Sequence, residues 1–588
     1  MARSLSARRR ATLEAIADTF APGAAERGVA DAFLEKFVAR LPAGEQARLS
    51  ALLGVFAARR FHRLSRARRE RVLLSWGRSR LPLRRTGFHA LRKGLLLLAW
   101  TLPGAPWEEL GYPGPPGPDP GAPPKPLSPI VPDGELELSC DVCVVGSGAG
   151  GGAAAAVLAA AGLEVVVLEA GGYFGPPDFD GAELAGLERM YLEAGAAATT
   201  DQGIAILAGS CVGGGTVVNY TTSFRTPDGV REEWGGPFAT DAFGRSLDAV
   251  WERLGVNSDH NRIPAREEKV RAGLERLGWH VDAMPRDVQG CDQGLACGYC
   301  PYGCRLGAKQ SSDRTWLVDA ERAGARILAG TRADRIAPGP RVEAGPVTVR
   351  ARTVVVACGA IHTPALLRRS GLGNRLVGQN LFLHPVVGAL GFFDDEIRPW
   401  EGTMQALYSD ELADLDAGYG ARFETTATHP GFVAAFLPWV GADQHRELML
   451  GLPRAAPLGV LLRDREGGEV RVRRDGTPAA RYRLSTYDER HLRTGLEGAV
   501  RVLEAAGARR IVTSEPSLFS FHQMGTARMG GSPESSACDW EGALWETRDV
   551  VVCDGSAFPT SSGVNPMVTI SALAHMNAGA LASRLAST

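Results

Sequence analysis

Asp141-Val-Cys-Val-Val145 runs directly into Gly146-Ser-Gly148-Ala-Gly-Gly151 and then into the small-residue stretch Ala153 to Ala161, and this segment decides the fold. A short apolar strand, a tight glycine turn and a helix of small residues form the context in which a glycine fingerprint binds a dinucleotide. Gly146 permits the turn, Gly148 lets backbone approach a pyrophosphate, and Gly151 lets the helix pack close to the sheet. The phosphates then meet unpaired N–H groups at the helix start. A second apolar strand, Val165 to Leu168, ends in Glu169, where a carboxylate accepts ribose hydroxyls and repels a 2′-phosphate. The fingerprint alone does not say which dinucleotide is bound.

Outward from this core, the 588 residues have room for several domains. A 45% hydrophobic and 22% charged composition excludes a disordered chain. The formal net charge of −1 gives no overall field to recruit nucleic acid, and no nucleic-acid partner is expected. No apolar run approaches the roughly 20 residues of a spanning helix. The triple arginine at 8–10 is followed by Glu14, Asp18, Glu26 and Arg27 rather than by an apolar leader, so a cytoplasmic location is expected.

Ten prolines between Pro113 and Pro132 mark a linker, 113–134, expected to separate two bodies. Ahead of it, apolar spacings of three and four (Leu13, Ile16, Ala17, Phe20; Phe33, Phe37, Leu41) predict a helical extension over 1–112. Within it, Arg59 to Lys93 carries thirteen Lys or Arg against the single acid Glu70, interleaved with Phe61, Leu64, Val72, Leu73, Leu74 and Trp76. Such a surface either meets anionic lipid, giving peripheral membrane contact through 59–102, or is a solvated helix face docked on the chain's own acidic remainder.

Three further segments resemble the glucose-methanol-choline (GMC) family of FAD oxidoreductases. They are Gly209-Ser-Cys-Val-Gly213-Gly214-Gly215-Thr-Val-Val-Asn219; Val354-Val-Val-Ala-Cys-Gly359-Ala360, followed by Asn380-Leu-Phe-Leu-His384; and Phe521-His522-Gln-Met-Gly525 with Asp554-Gly555 and Val564-Asn565-Pro566. The resemblance runs from about Asp141 to the C-terminus. It implies an α/β architecture: a Rossmann-like, doubly wound FAD-binding domain from discontinuous segments (135–370, with a cysteine-rich insertion at 288–312), an antiparallel-sheet substrate domain over 371–520, and a C-terminal return, 521–588, that carries the catalytic pair. It further implies noncovalent FAD, with the second glycine loop and Asn219 along the flavin and Asp554 near the phosphate–ribityl region. His522 would act as base beside Asn565, and His384 would be structural. Many members place a second histidine where this chain has Asn565.

An imidazole titrates close to working pH and suits proton abstraction, while a carboxamide N–H answers charge growing on an alcohol oxygen. Cys297-Gly-Tyr-Cys-Pro-Tyr-Gly-Cys304 and the segment following it resemble the long-chain fatty alcohol oxidase branch, which makes a long-chain alcohol the expected substrate and oxygen or another acceptor the electron sink. A sterol, sugar or aryl alcohol dehydrogenase, and an electron-transfer or membrane-docking flavoprotein, are the competing readings. Phe392, Phe393, Phe436, Leu437, Trp439, Val440, Met449 and Leu450 are expected either to wall an aliphatic cleft or to be ordinary core. Cys291, Cys297, Cys300 and Cys304 fit an iron–sulfur cluster or zinc, or equally a set of thiols or disulfides in a turn-rich loop.

Overall fold

The computed structural model describes residues 5–291, 294, 297–515 and 517–587. Leu136–Val145 lies at the centre of the first sheet, parallel to Val165–Leu168 on one side and to Val347–Val356 on the other. Arg326–Leu328 and Thr547–Val552 extend the parallel set outward, and short antiparallel strands complete eight. The central strands end in the fully buried runs Val142–Val145, Val165–Leu168 and Val354–Val356, as expected for a sheet covered on both faces. One cover is the pair of helices Ala149–Ala160 and Met567–Ala586, joined where Ser571 Oγ donates to Ala149 O at 3.1 Å. Alanine and glycine on the first helix allow that close approach.

A second eight-stranded sheet runs in the order Ile204–Ile206, Leu518–Ser520, Val386–Phe392, Ala455–Leu462, Ala421–Glu424, Leu407–Ser409, Asp282–Ala283, with Arg510–Thr513 also on Val386–Phe392. It is antiparallel except for the pairing of Leu518–Ser520 with Ile204–Ile206. The sheet is therefore mixed, and it draws strands from outside 371–520.

Among the described residues, six α-helices form the N-terminal segment: α1 (Ala7–Phe20), α2 (Val29–Lys36), α3 (Ala43–Ala58), α4 (Arg66–Gly77), α5 (Pro82–Thr101) and the short α6 (Trp107–Leu110). They are not a separate body. Along α5, Phe88, Leu91, Leu95 and Leu98 follow helical spacing on a buried face, and one continuous core joins these helices to Trp400, Val433, Leu437, Trp439 and Met449. Arg92, 2% exposed, donates to Leu437 O, Ala435 O and Ser517 Oγ. The proline-rich segment is likewise attached rather than spanning a gap. Ile130 bridges the first sheet's edge strand through Ile130 N to Ile327 O, 2.8 Å, and Ala329 N to Ile130 O, 2.9 Å.

This packing decides between cleft wall and ordinary core for most of the aromatic and aliphatic residues named from sequence, in favour of core. Phe392, Leu437, Trp439 and Met449 face the N-terminal helices, with Phe20 edge-on to Trp439 at 4.9 Å, and Phe393 belongs to a core beneath helix Thr486–Ala505. None of the eight residues named from sequence lines the main cavity. Among the described residues, no helix is long and apolar enough to cross a membrane.

Candidate active site

Parallel strands place all their carboxyl ends on one edge, and the chain segments leaving those ends build one side of a cavity of about 560 Å³. Gly146 has φ +104, and a Cβ there would lie 2.2 Å from Ala357 O. Gly214, at φ +55, faces Gly148 so closely that its Cβ would meet Gly148 Cα at 2.8 Å. The two glycine loops thus meet backbone to backbone, leaving the start of helix Ala149–Ala160 open to the cavity. Gly148, Glu169, Gly215, Asn219, Asp554 and Gly555 line the same space, with Gly146 and Gly214. Gly151 and Gly213 stand behind it. Gly151 packs under Gly146 O, and Gly213 N donates to Ser147 Oγ at 3.0 Å.

Ser147, the variable residue of the fingerprint, joins these parts. Its N and Oγ donate to Glu169 Oε2 at 3.1 and 2.6 Å, and its carbonyl accepts from Ser312 Oγ at 3.1 Å. Glu169 also accepts from Gly171 N at 2.8 Å. Burial raises the Glu169 pKa, opposed by these bonds, and the carboxylate has acceptor capacity left for ribose hydroxyls. Asp554 is committed to protein: Oδ2 accepts from Gly359 N (2.8 Å) and Thr363 Oγ1 (2.5 Å), and Oδ1 accepts from Ser556 N and Oγ. It ties two strand ends together at the cavity wall. Asn219 is held by Thr221 N on Oδ1 (3.2 Å), while Lys309 Nζ donates to Val217 O and Asn219 O, both at 2.7 Å.

The opposite side of the cavity comes from the second sheet and the chain beyond it. His522 follows strand Leu518–Ser520, Asn565 precedes helix Met567–Ala586, and both line the cavity. His384 is fully buried behind His522, with the two Nδ1 atoms 3.3 Å apart. Gly563 N donates to His384 Nε2 at 3.1 Å. A neutral His384 therefore carries its proton on Nδ1 and donates it to His522 Nδ1. Neutral His522 then bears its own proton on Nε2. Burial pushes the His522 pKa down to about 3, so the ring is uncharged at working pH.

Sequence reasoning missed Glu424, at the end of strand Ala421–Glu424. It lines the cavity beside Asn565, whose Nδ2 approaches Glu424 Oε2 at 3.4 Å, and Gln405 Nε2 approaches the same oxygen at 3.2 Å. Burial raises its pKa, opposed by Asn565 and Gln405. Glu424 Oε1 and Asn565 Oδ1 are buried without a hydrogen-bond partner, a combination that a functional site explains better than a packed core does. A lone glutamate in a strand carries no signal in one sequence.

The cysteines do not assemble into a metal centre. Cys291 Sγ and Cys297 Sγ are 3.4 Å apart, but among the described residues no group of three or more His, Cys, Asp or Glu side chains is arranged to hold a metal ion. Burial pushes the Cys300 thiol up to about 12, and the hydrogen bond with Cys291, followed by burial, raises Cys297 well above its usual value. An iron–sulfur cluster finds no support in this geometry.

A glycine-lined cradle and a histidine–asparagine pair thus share one cavity, an arrangement suited to an oxidoreductase. The chain belongs to the GMC oxidoreductase family, whose models match residues 187–386 and 464–574. It is 35% identical over 505 residues to Long-chain-alcohol oxidase FAO4A of Arabidopsis thaliana, covering 76% of this chain and 69% of that one. It is 34% identical to an uncharacterized GMC-type oxidoreductase of Mycobacterium tuberculosis, covering 74% of each. Pyridoxine 4-oxidase superposes with a TM-score of 0.59 at 18% identity, over 76% of this chain and 99% of the other, and formate oxidase of Aspergillus oryzae with 0.56 at 15%. These two likenesses are of fold. The protein is thus an alcohol oxidase-like enzyme of the class acting on CH–OH donors, and its family implies FAD.

Proposed function

We propose that the protein oxidises a primary, long-chain aliphatic alcohol to the aldehyde, with FAD bound noncovalently between the two glycine loops and oxygen as the electron acceptor. The observation that carries this reading is the convergence of both loops, His522 and Asn565 on one cavity. The cradle fits the cofactor: backbone N–H groups at the helix start suit the pyrophosphate, and Glu169 suits the ribose. When bound, the flavin supplies a hydride acceptor at N5.

The residues then divide the work at the alcohol oxygen. Asn565 Nδ2 and the Nε2–H of neutral His522 donate to it as negative charge builds. The hydrogen-bond network favours Glu424 as proton acceptor over His522, because His522 Nδ1 is engaged by His384 while Glu424 Oε2 is held only by bonds of 3.2 and 3.4 Å. Tyr191, Leu192, Leu207, Val386, Phe519 and Phe521 supply apolar wall for an alkyl chain.

Anaerobic stopped-flow reduction by alcohols of graded length tests the reading. Rates per KM should climb with chain length by about 3- to 4-fold per buried methylene, the equivalent of ~0.8 kcal/mol. Faster bleaching by glucose or an aryl alcohol than by dodecanol would favour the sugar or aryl alcohol reading, and a loaded flavin that no alcohol bleaches would favour an electron-transfer protein.

A further inference from the structure

The arginine-rich stretch of the N-terminal helices is only partly consumed by the fold. Arg66 pairs with Glu70 and Asp443, Arg69 with Asp18, and Arg85 donates to Ser79 O. Arg84 lies over the Trp76 ring at 5.6 Å, and Arg92 and Lys93 are spent on the interior of the protein. What is left is ordered. Arg68 and Arg71 on α4 and Arg78 at its C-cap are exposed and recur at helical spacings of three and seven, which puts them on one stripe extending about 15 Å. None has an ion-pair partner among the described residues. Arg59, Arg60, Arg63 and Arg80 are likewise exposed and unpaired there.

This stripe leads into the junction of α4 with the first turn of α5, where two large apolar side chains stand in solvent. Leu81 is 55% and Leu83 70% exposed, with Pro82 between them also exposed. Leucines have no reason to head an arginine row on a surface built only for water, and a flanking fringe of cations rules out a purely apolar protein partner. Nucleic acid would use the cations but not the leucines. We propose that α4 and the Leu81-Pro82-Leu83 turn form a docking surface for an anionic lipid bilayer, the leucines entering the acyl boundary and the arginines meeting headgroup phosphates. The surface is independent of the site chemistry: it holds whether or not the substrate is a long-chain alcohol.

Flotation of the flavin-loaded full chain with phosphatidylglycerol-containing vesicles, against pure phosphatidylcholine, tests it. Binding should be confined to the anionic vesicles and weaken as salt is raised. Substituting Arg68→Gln, Arg71→Gln and Arg78→Gln together should lower vesicle affinity about a hundredfold, about fivefold per charge. The pair Leu81→Ser and Leu83→Ser should lower it about tenfold or more while leaving all charges in place. Anaerobic reduction by a short, water-soluble alcohol should be unchanged in both, which keeps this outcome separate from the catalytic reading. No flotation with anionic vesicles at low salt overturns the proposal. So does unchanged flotation of the leucine variant, or duplex DNA binding that depends on the same arginines and competes the vesicles away.

Discussion

The two sides of the cavity are built on different principles. On the side of the first sheet the work is done by backbone: glycines at 146 and 214 are there because anything larger collides with main-chain atoms of another loop. On the side of the second sheet the work is done by side chains, His522, Asn565 and Glu424, delivered by three separate stretches of chain. A steric requirement of the backbone is local and leaves a spacing in the sequence. A constellation of side chains is made by topology and leaves none.

The sharpest way to break this comparison is to attack the backbone side. Gly146→Ala puts a methyl within 2.2 Å of Ala357 O at a positive φ, and neither loop can withdraw without opening the sheet edge. We expect a loss of ~4–5 kcal/mol in unfolding free energy and a protein purified without yellow colour. Thermal unfolding and the flavin absorbance check it. Retained colour at normal stability would mean that the cradle is softer than its contacts imply.

The side-chain half should behave in the opposite way: flavin bound, chemistry lost. Glu424→Gln keeps the shape and the bonds to Asn565 and Gln405 but removes the acceptor, and should slow flavin reduction about 10²- to 10³-fold. The pH dependence sharpens this. Burial raises the Glu424 pKa, so as pH falls the carboxylate is lost earlier than an exposed glutamate would lose it. Wild-type reduction should therefore rise with pH through that shifted value and then level off. His522, held down near 3, contributes no limb around neutrality. In Glu424→Gln the limb should vanish. If it persists there and disappears in His522→Ala instead, the imidazole is the base after all.

How much was legible follows the same division. The strand–turn–helix at Asp141–Ala161 and the acid at Glu169 could be read from residue types, because strand, turn, helix and acid follow one another in a single βαβ unit, although Gly146 also meets Ala357 O from a distant strand end. His522 and Asn565 were reachable only through resemblance to a family. Glu424 was not reachable at all, since its meaning comes from Asn565, 141 positions away. The helical N-terminus was legible as helices, but its partners were not. Amphipathic spacing says that a face is buried without saying against what, and the aromatics expected to wall a cleft turned out to be its partners.

That shared core gives a smaller test. Arg92 sits in the joint between α5 and the second-sheet side, its guanidinium satisfying Leu437 O, Ala435 O and Ser517 Oγ. Arg92→Met removes the donors and strands three buried acceptors, at a cost of ~2–4 kcal/mol. Denaturant unfolding should show one transition shifted to lower midpoint, because helices and sheet share a core. Two transitions, with the helices lost first, would restore the separate body that the prolines predict.

The smallest effect is expected at the cysteine loop, and its smallness is the point. Were Cys291 and Cys297 ligands, removing either would strip a cluster and cost much of the stability of the loop. As neighbouring thiols 3.4 Å apart, with Arg286 Nη2 also donating to Cys291 Sγ at 3.9 Å, they contribute weak hydrogen bonds and packing. Cys291→Ser should then change unfolding free energy by no more than about 1 kcal/mol and leave flavin reduction as it was. Iron and acid-labile sulfide in the purified wild type should both be at background. A stoichiometric metal lost together with Cys291 would show that side chains from this loop converge in a way their positions here do not, and would move the loop from the packing of the protein to its electron chemistry.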